Sequence, residues 1–78
     1  MSGWSPEEAI AIERRHIRER EERVVRQDIL TGYLIEKGYY LIAGDAAEVL
    51  NLMYASLKLS RERLRYLEDY YGNARGNR

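Results

Sequence analysis

The sequence predicts an all-α fold, an antiparallel hairpin of two long helices that dimerises into a four-helix bundle. Two long segments carry apolar residues at helical spacing, and each opens with residues that favour a helix start. A single short, glycine-flanked connection joins them, which makes the helices antiparallel neighbours. At 78 residues the chain forms one small domain, near the size at which a lone core is marginal and oligomerisation is common.

The first helix is predicted to run from Pro6 to Lys37. Ser5 is a favourable N-cap, proline is common at the first helical position, and Glu8 completes a capping box. Gly38 marks the end of this helix, because glycine readily adopts the left-handed conformation that often follows a helix.

This helix is divided into a charged half and an apolar half. From Glu13 to Arg23 only Ile17 is apolar, and Glu19–Arg23 has the spacing of a helical ion pair worth about 0.2–0.5 kcal/mol. A narrow apolar row runs through Ile10, Ile17 and Val24. Beyond it, apolar residues occupy most positions: Val25, Ile29, Leu30, Tyr33, Leu34 and Ile35. Gly32 lies among them and suggests either a close helix crossing or a local kink.

The connection is predicted over residues 38–44, between two glycines. It contains an apolar run, Tyr39 to Ile42, that is rich in residues favouring strands. Because no second strand is available to pair with it, the run is better interpreted as a plug over the end of the helix pair.

The second helix is predicted to begin at Ala46 after the capping residue Asp45 and to end near Tyr71, with residues 72–78 as a frayed tail. One heptad row, interrupted only at Ser60, is expected to face the first helix: Leu50, Met53, Leu57, Leu64, Leu67 and Tyr71. A second apolar row lies about 120° further round: Leu52, Leu59, Tyr66 and Tyr70. One partner helix cannot cover both rows.

The uncovered apolar residues predict self-association, so the favoured function is a non-enzymatic protein–protein interaction or oligomerisation module. Its expected partners are a second copy of the chain, as a homodimer, and an unidentified protein. The candidate interface residues are Leu52, Leu59, Tyr66, Tyr70, Val25, Ile29 and Tyr33. The chain has seven tyrosines and no phenylalanine, which suits wet interfaces and boundary packing in a thin domain equally well.

A small nucleic-acid-binding regulator is the alternative. The segment from Leu57 to Leu67 resembles the turn and recognition helix of a helix-turn-helix unit, although Lys58 stands where a glycine is usual. Its candidate contacts are Arg61, Arg63 and Arg65. A dimeric hairpin binding RNA would instead use Arg14, Arg15, Arg18 and Arg20. Thirteen basic and thirteen acidic residues give zero net charge, which makes nucleic acid the weaker hypothesis.

One pattern in the first helix consists of Arg15-His16-Ile17, Glu19, Glu21, Arg23-Val24 and Arg26-Gln27. It resembles the opening signature of a family of small, uncharacterised bacterial helical-hairpin proteins. The similarity covers roughly residues 13–67, with a glycine at Gly38 and an alanine- and leucine-containing helix start at residues 46–50. Arg20 departs from the family, which tends to have glycine there, and Tyr39-Tyr40 replaces a more polar turn. The resemblance implies the hairpin fold and brings no activity with it.

Catalytic, cofactor and metal sites are not predicted. The chain has no cysteine, which excludes disulfides and thiol chemistry and fits a reducing compartment. Its one histidine, His16, has Glu13 and Glu19 within helical reach, but a solvated histidine beside a glutamate is the favoured interpretation. No apolar run approaches the ~20 residues of a membrane span, and the N-terminus lacks signal-peptide features, so we expect a cytoplasmic protein.

Overall fold

A computed structural model describes residues 5–72, which form a helical hairpin. Helix α1 (Pro6–Glu36) is followed by helix α2 (Tyr40–Leu67), which continues into a π-helical turn, Glu68–Gly72. No strand occurs within these residues, and the predicted all-α hairpin is confirmed. The hairpin measures 58 × 25 × 13 Å, so it is a single layer of helices with both broad faces open. The predicted tail from residue 73 onward lies outside the described residues.

The start of α1 has the predicted serine cap, but the reciprocal bond of the capping box, from the Ser5 N–H to the Glu8 carboxylate, is not among the hydrogen bonds of residues 5–72. The Ser5 hydroxyl accepts a hydrogen bond from the Glu8 N–H at 3.3 Å and donates to the Glu7 carboxylate at 3.2 Å. Pro6 occupies the first helical position. The cap satisfies one of the N–H groups that a helix start leaves without a backbone partner.

The end of α1 lies one residue before the predicted Lys37, in a Schellman turn. The Tyr39 N–H donates to the Leu34 carbonyl at 2.9 Å, and the Gly38 N–H donates to the Ile35 carbonyl at 3.0 Å. Gly38 has a φ of 83°, the one positive φ among residues 5–72. The glycine therefore stands where the chain turns from one helix into the next.

The predicted connection over residues 38–44 is too long, because α2 already begins at Tyr40. Gly44 lies within the helix, and Asp45 does not cap it. Packing explains the early start: Ala43 and Ala46 form a buried cluster with Leu34, and their small side chains let the two helices approach closely. Their burial offsets the missing cap, since Tyr39 makes no side-chain capping hydrogen bond.

The apolar run at the hairpin tip does not form the predicted plug. The four residues from Tyr39 to Ile42 are each more than half exposed, and Leu41 is 90% exposed. Three of them belong to the first turn of α2, where successive side chains point in different directions around the helix. The tip therefore presents apolar side chains outward.

The two helices meet along a seam with heptad spacing, and four residues of the predicted α2 row lie on it: Leu50, Met53, Leu57 and Leu64. Its buried centre consists of Ile17, Val24, Leu50 and Leu57, with Met53 and Leu64 packed against them. Leu57 is only 3% exposed and lies at the middle of this cluster. The heptad pattern of α2 therefore predicted the inward side of the helix correctly.

Polar side chains of α1 occupy part of the same seam. The Arg20 guanidinium donates to the buried Ser60 hydroxyl at 2.9 Å, and the Gln27 amide donates to the Ala46 carbonyl at 3.0 Å. Every buried side-chain polar atom among residues 5–72 has a hydrogen-bond partner. The polar groups of the seam are thus satisfied, and Arg20 and Gln27 take positions in it that apolar side chains could fill.

Three ion pairs cross from α1 to the second half of the hairpin. They are Arg14–Glu68 at 2.6 Å, Arg61–Glu21 at 2.7 Å and Arg63–Glu13 at 3.4 Å. The predicted Glu19–Arg23 pair within α1 is not among the ion pairs of residues 5–72. The predicted close crossing at Gly32 is also wrong, because a Cβ there would meet nothing within 4 Å.

Candidate protein interface

An exposed apolar surface runs along α2 and into the π-helical turn that follows it, off the seam. It includes the predicted second row, whose members Leu52 and Leu59 are 70% and 60% exposed. Val49 and Ile42 extend the row toward the tip. We call the six exposed side chains the apolar stripe: Ile42, Val49, Leu52, Leu59, Tyr66 and Tyr70. Their spacing of three, four or seven residues is that of a second heptad seam.

Asp45, Ser56 and Arg63 occupy the polar positions within the apolar stripe. The Arg63 guanidinium is directed across the hairpin to the Glu13 carboxylate, 3.4 Å away. Ser56 lines a shallow hollow together with Met53, Arg20 and Arg23. Because Arg23 belongs to α1, this hollow shows that Arg23 and the apolar stripe lie on the same broad face of the hairpin, which we call the stripe face.

The opposite face of the hairpin carries both charged and apolar side chains. Arg61 lies about 200° round α2 from Leu59, given ~100° per residue, and it pairs with Glu21 of α1. Arg14 and Glu68 form a second ion pair seven residues further along both helices. Tyr54 and Ile35, seven residues from Arg61 and fourteen from Glu21, are about half exposed on this same face, so it mixes ion pairs with apolar side chains.

Three tyrosine rings contact one another at one end of the apolar stripe. The rings of Tyr66 and Tyr70 are stacked, with their centroids 5.9 Å apart and their planes 7° apart. Tyr71 meets Tyr70 edge-on, with a centroid distance of 4.7 Å. Three rings held against one another lose little further side-chain freedom when a partner binds.

The predicted interface residues of α1 do not all join the stripe face. Val25, Ile29 and Tyr33 are each more than half exposed, as predicted from their pattern. Their four-residue steps wind round the helix by ~40° each, so Val25 and Ile29 face outward and only Tyr33 reaches the stripe face. The Tyr33 ring lies 5.6 Å below the Lys37 ammonium group, a cation–π contact.

The helix-turn-helix interpretation of residues 57–67 is wrong. α2 runs without interruption through these residues, and no turn occurs at Lys58. Ser60, the expected cap, is 3% exposed and accepts a hydrogen bond from Arg20. The continuous heptad contact with α1 keeps the helix intact here.

The candidate nucleic-acid contacts are largely engaged within the hairpin. Arg61 and Arg63 pair with the carboxylates of Glu21 and Glu13. Of the arginines proposed for RNA, Arg20 bonds to the seam residue Ser60, while Arg14 pairs with a carboxylate of the final turn. Arg65 lines a shallow hollow with Lys58, Arg61 and Glu62.

No group of three or more histidine, aspartate or glutamate side chains among residues 5–72 could hold a metal ion. His16 is half-buried, while Glu13, its expected neighbour, is directed to Arg63. Within the described chain, neither helix combines the length and apolarity needed to cross a membrane. No protein-family model, curated protein or solved structure matches the chain significantly.

Sequence reasoning missed two features of this surface. Ile42 belongs to the apolar stripe but was assigned to the connection, since Gly44 was taken as a helix break. Arg20 and Gln27 were not recognised as seam residues because they are polar. Both lie at seven-residue steps from Glu13, in phase with the neighbouring row of Ile17 and Val24, and that spacing was the available signal.

Proposed function

We propose that this chain is a non-enzymatic protein–protein interaction module that self-associates through the apolar stripe, as a homodimer with a four-helix bundle. The observation behind this proposal is the balance of buried and exposed apolar residues. Among residues 5–72, seven hydrophobic residues are buried, whereas sixteen large hydrophobic side chains are exposed. Contiguous exposed apolar surface on a small protein is typical of an interaction site.

The shape of the hairpin supports the same proposal. A layer 13 Å thick cannot cover its own broad faces. The apolar stripe extends over 28 residue steps, roughly 42 Å at ~1.5 Å per residue, which is enough for several turns of helix packing. Fully burying one large apolar side chain is worth about 1.5–3 kcal/mol, so covering even part of the stripe is a substantial driving force.

The polar seam also favours association. Arg20 and Gln27 take seam positions that apolar residues would otherwise fill, so the hairpin alone buries little apolar surface. A second copy on the stripe face would bury the exposed apolar side chains, and the two thin hairpins would together form one four-helix bundle. We place the protein in the cytoplasm as part of this proposal, because a chain without cysteine is suited to a reducing compartment.

Solution mass by light scattering over a hundredfold range of concentration tests the proposal. We expect a wild-type dimer and a folded monomer for Leu59→Glu, because a carboxylate would have to be desolvated in the contact. Asn51→Glu is the matched control, since it adds the same charge to an exposed position of α2 off the stripe. A wild-type chain that is folded and monomeric at every concentration would contradict self-association.

A nucleic-acid-binding regulator is the second candidate, supported by the hollow that Lys58, Arg61 and Arg65 line. Phosphate contacts release counterions, so such binding would weaken steeply with salt. The test is the fluorescence anisotropy of labelled duplex DNA and RNA at low salt, with wild type and Arg65→Ala. No binding at low salt would exclude this candidate and leave the interaction module unaffected.

A further inference from the structure

We infer that the second copy docks antiparallel on the stripe face, with a two-fold axis passing beside Leu59. The inference rests on the proposed function, because it specifies the geometry of that same contact. In an antiparallel pair of identical helices, residues at equal distances on either side of the axis meet each other. The order of side chains along the apolar stripe therefore selects the position of the axis.

From Val49 to Tyr70, the apolar residues of the stripe are symmetric about Leu59. Leu52 lies seven residues before it and meets Tyr66 of the second copy, which lies seven residues after it. Val49 and Tyr70 lie ten and eleven residues away and form the next matching pair. Leu59 itself packs against Leu59 of the second copy. Every apolar side chain of the stripe from Val49 to Tyr70 thus meets another apolar side chain of the stripe.

Between Val49 and Tyr70, the polar positions of the stripe match in the same register. Ser56 lies three residues before Leu59 and Arg63 lies four residues after it, so each meets the other across the interface. Arg63 is already directed to Glu13 at 3.4 Å, and the small serine leaves room for the stem of its side chain. No charged group has to be buried against an apolar one.

Other positions of the axis, and a parallel pair of copies, bring charged side chains against apolar or like-charged ones. An axis at Ser56 would set Val49 against Arg63 and Asp45 against Tyr66, so that charges would be desolvated beside apolar side chains. A parallel pair would set each residue beside its own copy, with Arg63 against Arg63 and Asp45 against Asp45. Like charges opposed across an interface are costly, which disfavours that arrangement.

Charges on α1 support the same axis. Because the helices are antiparallel, the contacts Arg20–Ser60 and Arg61–Glu21 place the level of Leu59 between residues 21 and 23 of α1. Arg23 lies on the stripe face at about that level. Glu19 and Arg26, four residues before and three after Arg23, share its side of the helix.

An antiparallel second copy places Glu19 of each chain at the level of Arg23 and Arg26 of the other. None of these three side chains takes part in an ion pair within residues 5–72. They are therefore available to form two symmetric sets of ion pairs between the copies. The two copies of Arg23 also lie close to this axis, so the Glu19 carboxylates offset a like-charge contact there, and it is the apolar register that selects the axis.

Single cysteines test this geometry cleanly, because the chain has none of its own. With oxidised glutathione as the oxidant, we expect Leu59→Cys to form a disulfide-linked dimer, since a disulfide joins Cα atoms about 4.4–6.8 Å apart. Leu52→Cys should not link to itself, because its two copies lie fourteen steps apart, roughly 21 Å. A mixture of Leu52→Cys and Tyr66→Cys should form the mixed dimer.

The outcomes separate this inference from the proposed function. Self-linking of both Leu52→Cys and Leu59→Cys would indicate a parallel pair, and linking of Leu52→Cys to Leu59→Cys would indicate an axis near Ser56. Either result overturns the inference, as does a dimer by solution mass in which no stripe cysteine links. A monomeric wild type would instead overturn the proposed function itself.

Charge reversal provides a second test of the axis. Glu19→Arg should raise the dimer dissociation constant about threefold to tenfold at low salt, as expected for two exposed ion pairs replaced by repulsion. Adding Arg23→Glu to this variant should restore the dissociation constant to within about threefold of wild type. Equal dissociation constants for wild type and the single variant, measured by sedimentation, would contradict the placement of Glu19 beside the two arginines.

Discussion

Glycines have two different roles in this hairpin. Gly38 has a φ of 83°, a conformation that other residues adopt only with strain, and it closes the turn after α1. Gly32 lies within α1, and the space around it is open. Its flexibility contributes nothing to packing, while it weakens the helix by about 1 kcal/mol relative to alanine.

Alanine at the two positions should therefore have opposite effects. Gly32→Ala is expected to raise the free energy of unfolding by about 0.5–1 kcal/mol, because alanine is the better helix former. Gly38→Ala is expected to lower it by about 1 kcal/mol, because the left-handed conformation opposes a Cβ. Urea unfolding followed by circular dichroism measures both. Stabilisation by the second substitution would contradict the Schellman turn.

Substitutions at two leucines separated by one residue distinguish an effect on folding of the hairpin from an effect on its association. Leu57 is 3% exposed at the centre of the seam, so Leu57→Ala should lower the free energy of unfolding by about 2–4 kcal/mol. Leu59 is 60% exposed in the single hairpin. At concentrations where the protein is monomeric, Leu59→Ala should change this free energy by less than about 0.5 kcal/mol. A large loss there would place Leu59 in the hairpin core.

At the scale of the helix, polar side chains in the seam limit the stability of the hairpin. Gln27→Leu replaces a hydrogen bond worth about 0.5–1.5 kcal/mol by a buried apolar side chain worth about 1.5–3 kcal/mol. The Ala46 carbonyl that it frees lies within α2 and keeps a helical partner. We expect the free energy of unfolding to rise by roughly 1 kcal/mol in urea denaturation. A loss would show that the amide hydrogen bond fixes the alignment of the helices.

The ends of the helices were predictable from the sequence wherever they depend on local signals. Ser5-Pro6 and Gly38 marked the limits of α1 to within one residue, because capping and left-handed turns depend on a few neighbouring atoms. The start of α2 was wrong by six residues. It depends on Ala43 and Ala46 packing beside Leu34, a contact between the helices that no local signal contains.

The part of the candidate interface that depends on the periodicity of one helix was also predictable. The row through Leu52, Leu59 and Tyr66 is periodic along one helix, and the structure confirms that it lies off the seam. Val25 and Ile29 were grouped with it although they face another direction. Only the position of α1 beside α2 decides which of its exposed residues share a face with the stripe.

At the scale of the whole molecule, stability should depend on protein concentration. If two thin hairpins complete one core between them, a hundredfold rise in concentration favours the dimer by about 2.7 kcal/mol. For a chain of this size we expect the wild-type Tm to rise by roughly 5–10 °C over that range. Leu59→Glu should show a Tm that does not depend on concentration. Differential scanning calorimetry measures both, and a constant wild-type Tm would contradict coupled folding and association.

The exposed tip of the hairpin would occur twice in the proposed dimer. About a two-fold axis at Leu59, the stripe contact would leave both tips uncovered, at opposite ends of the dimer. Leu41, 18 residues from the axis, would recur about 54 Å away at ~1.5 Å per residue. A target that bound one tip weakly would be bound far more strongly if it displayed two such sites at that separation, because the second contact would form at a high effective concentration. The dimer would then be selective for the distance between two binding sites on a target as well as for the chemistry of each site.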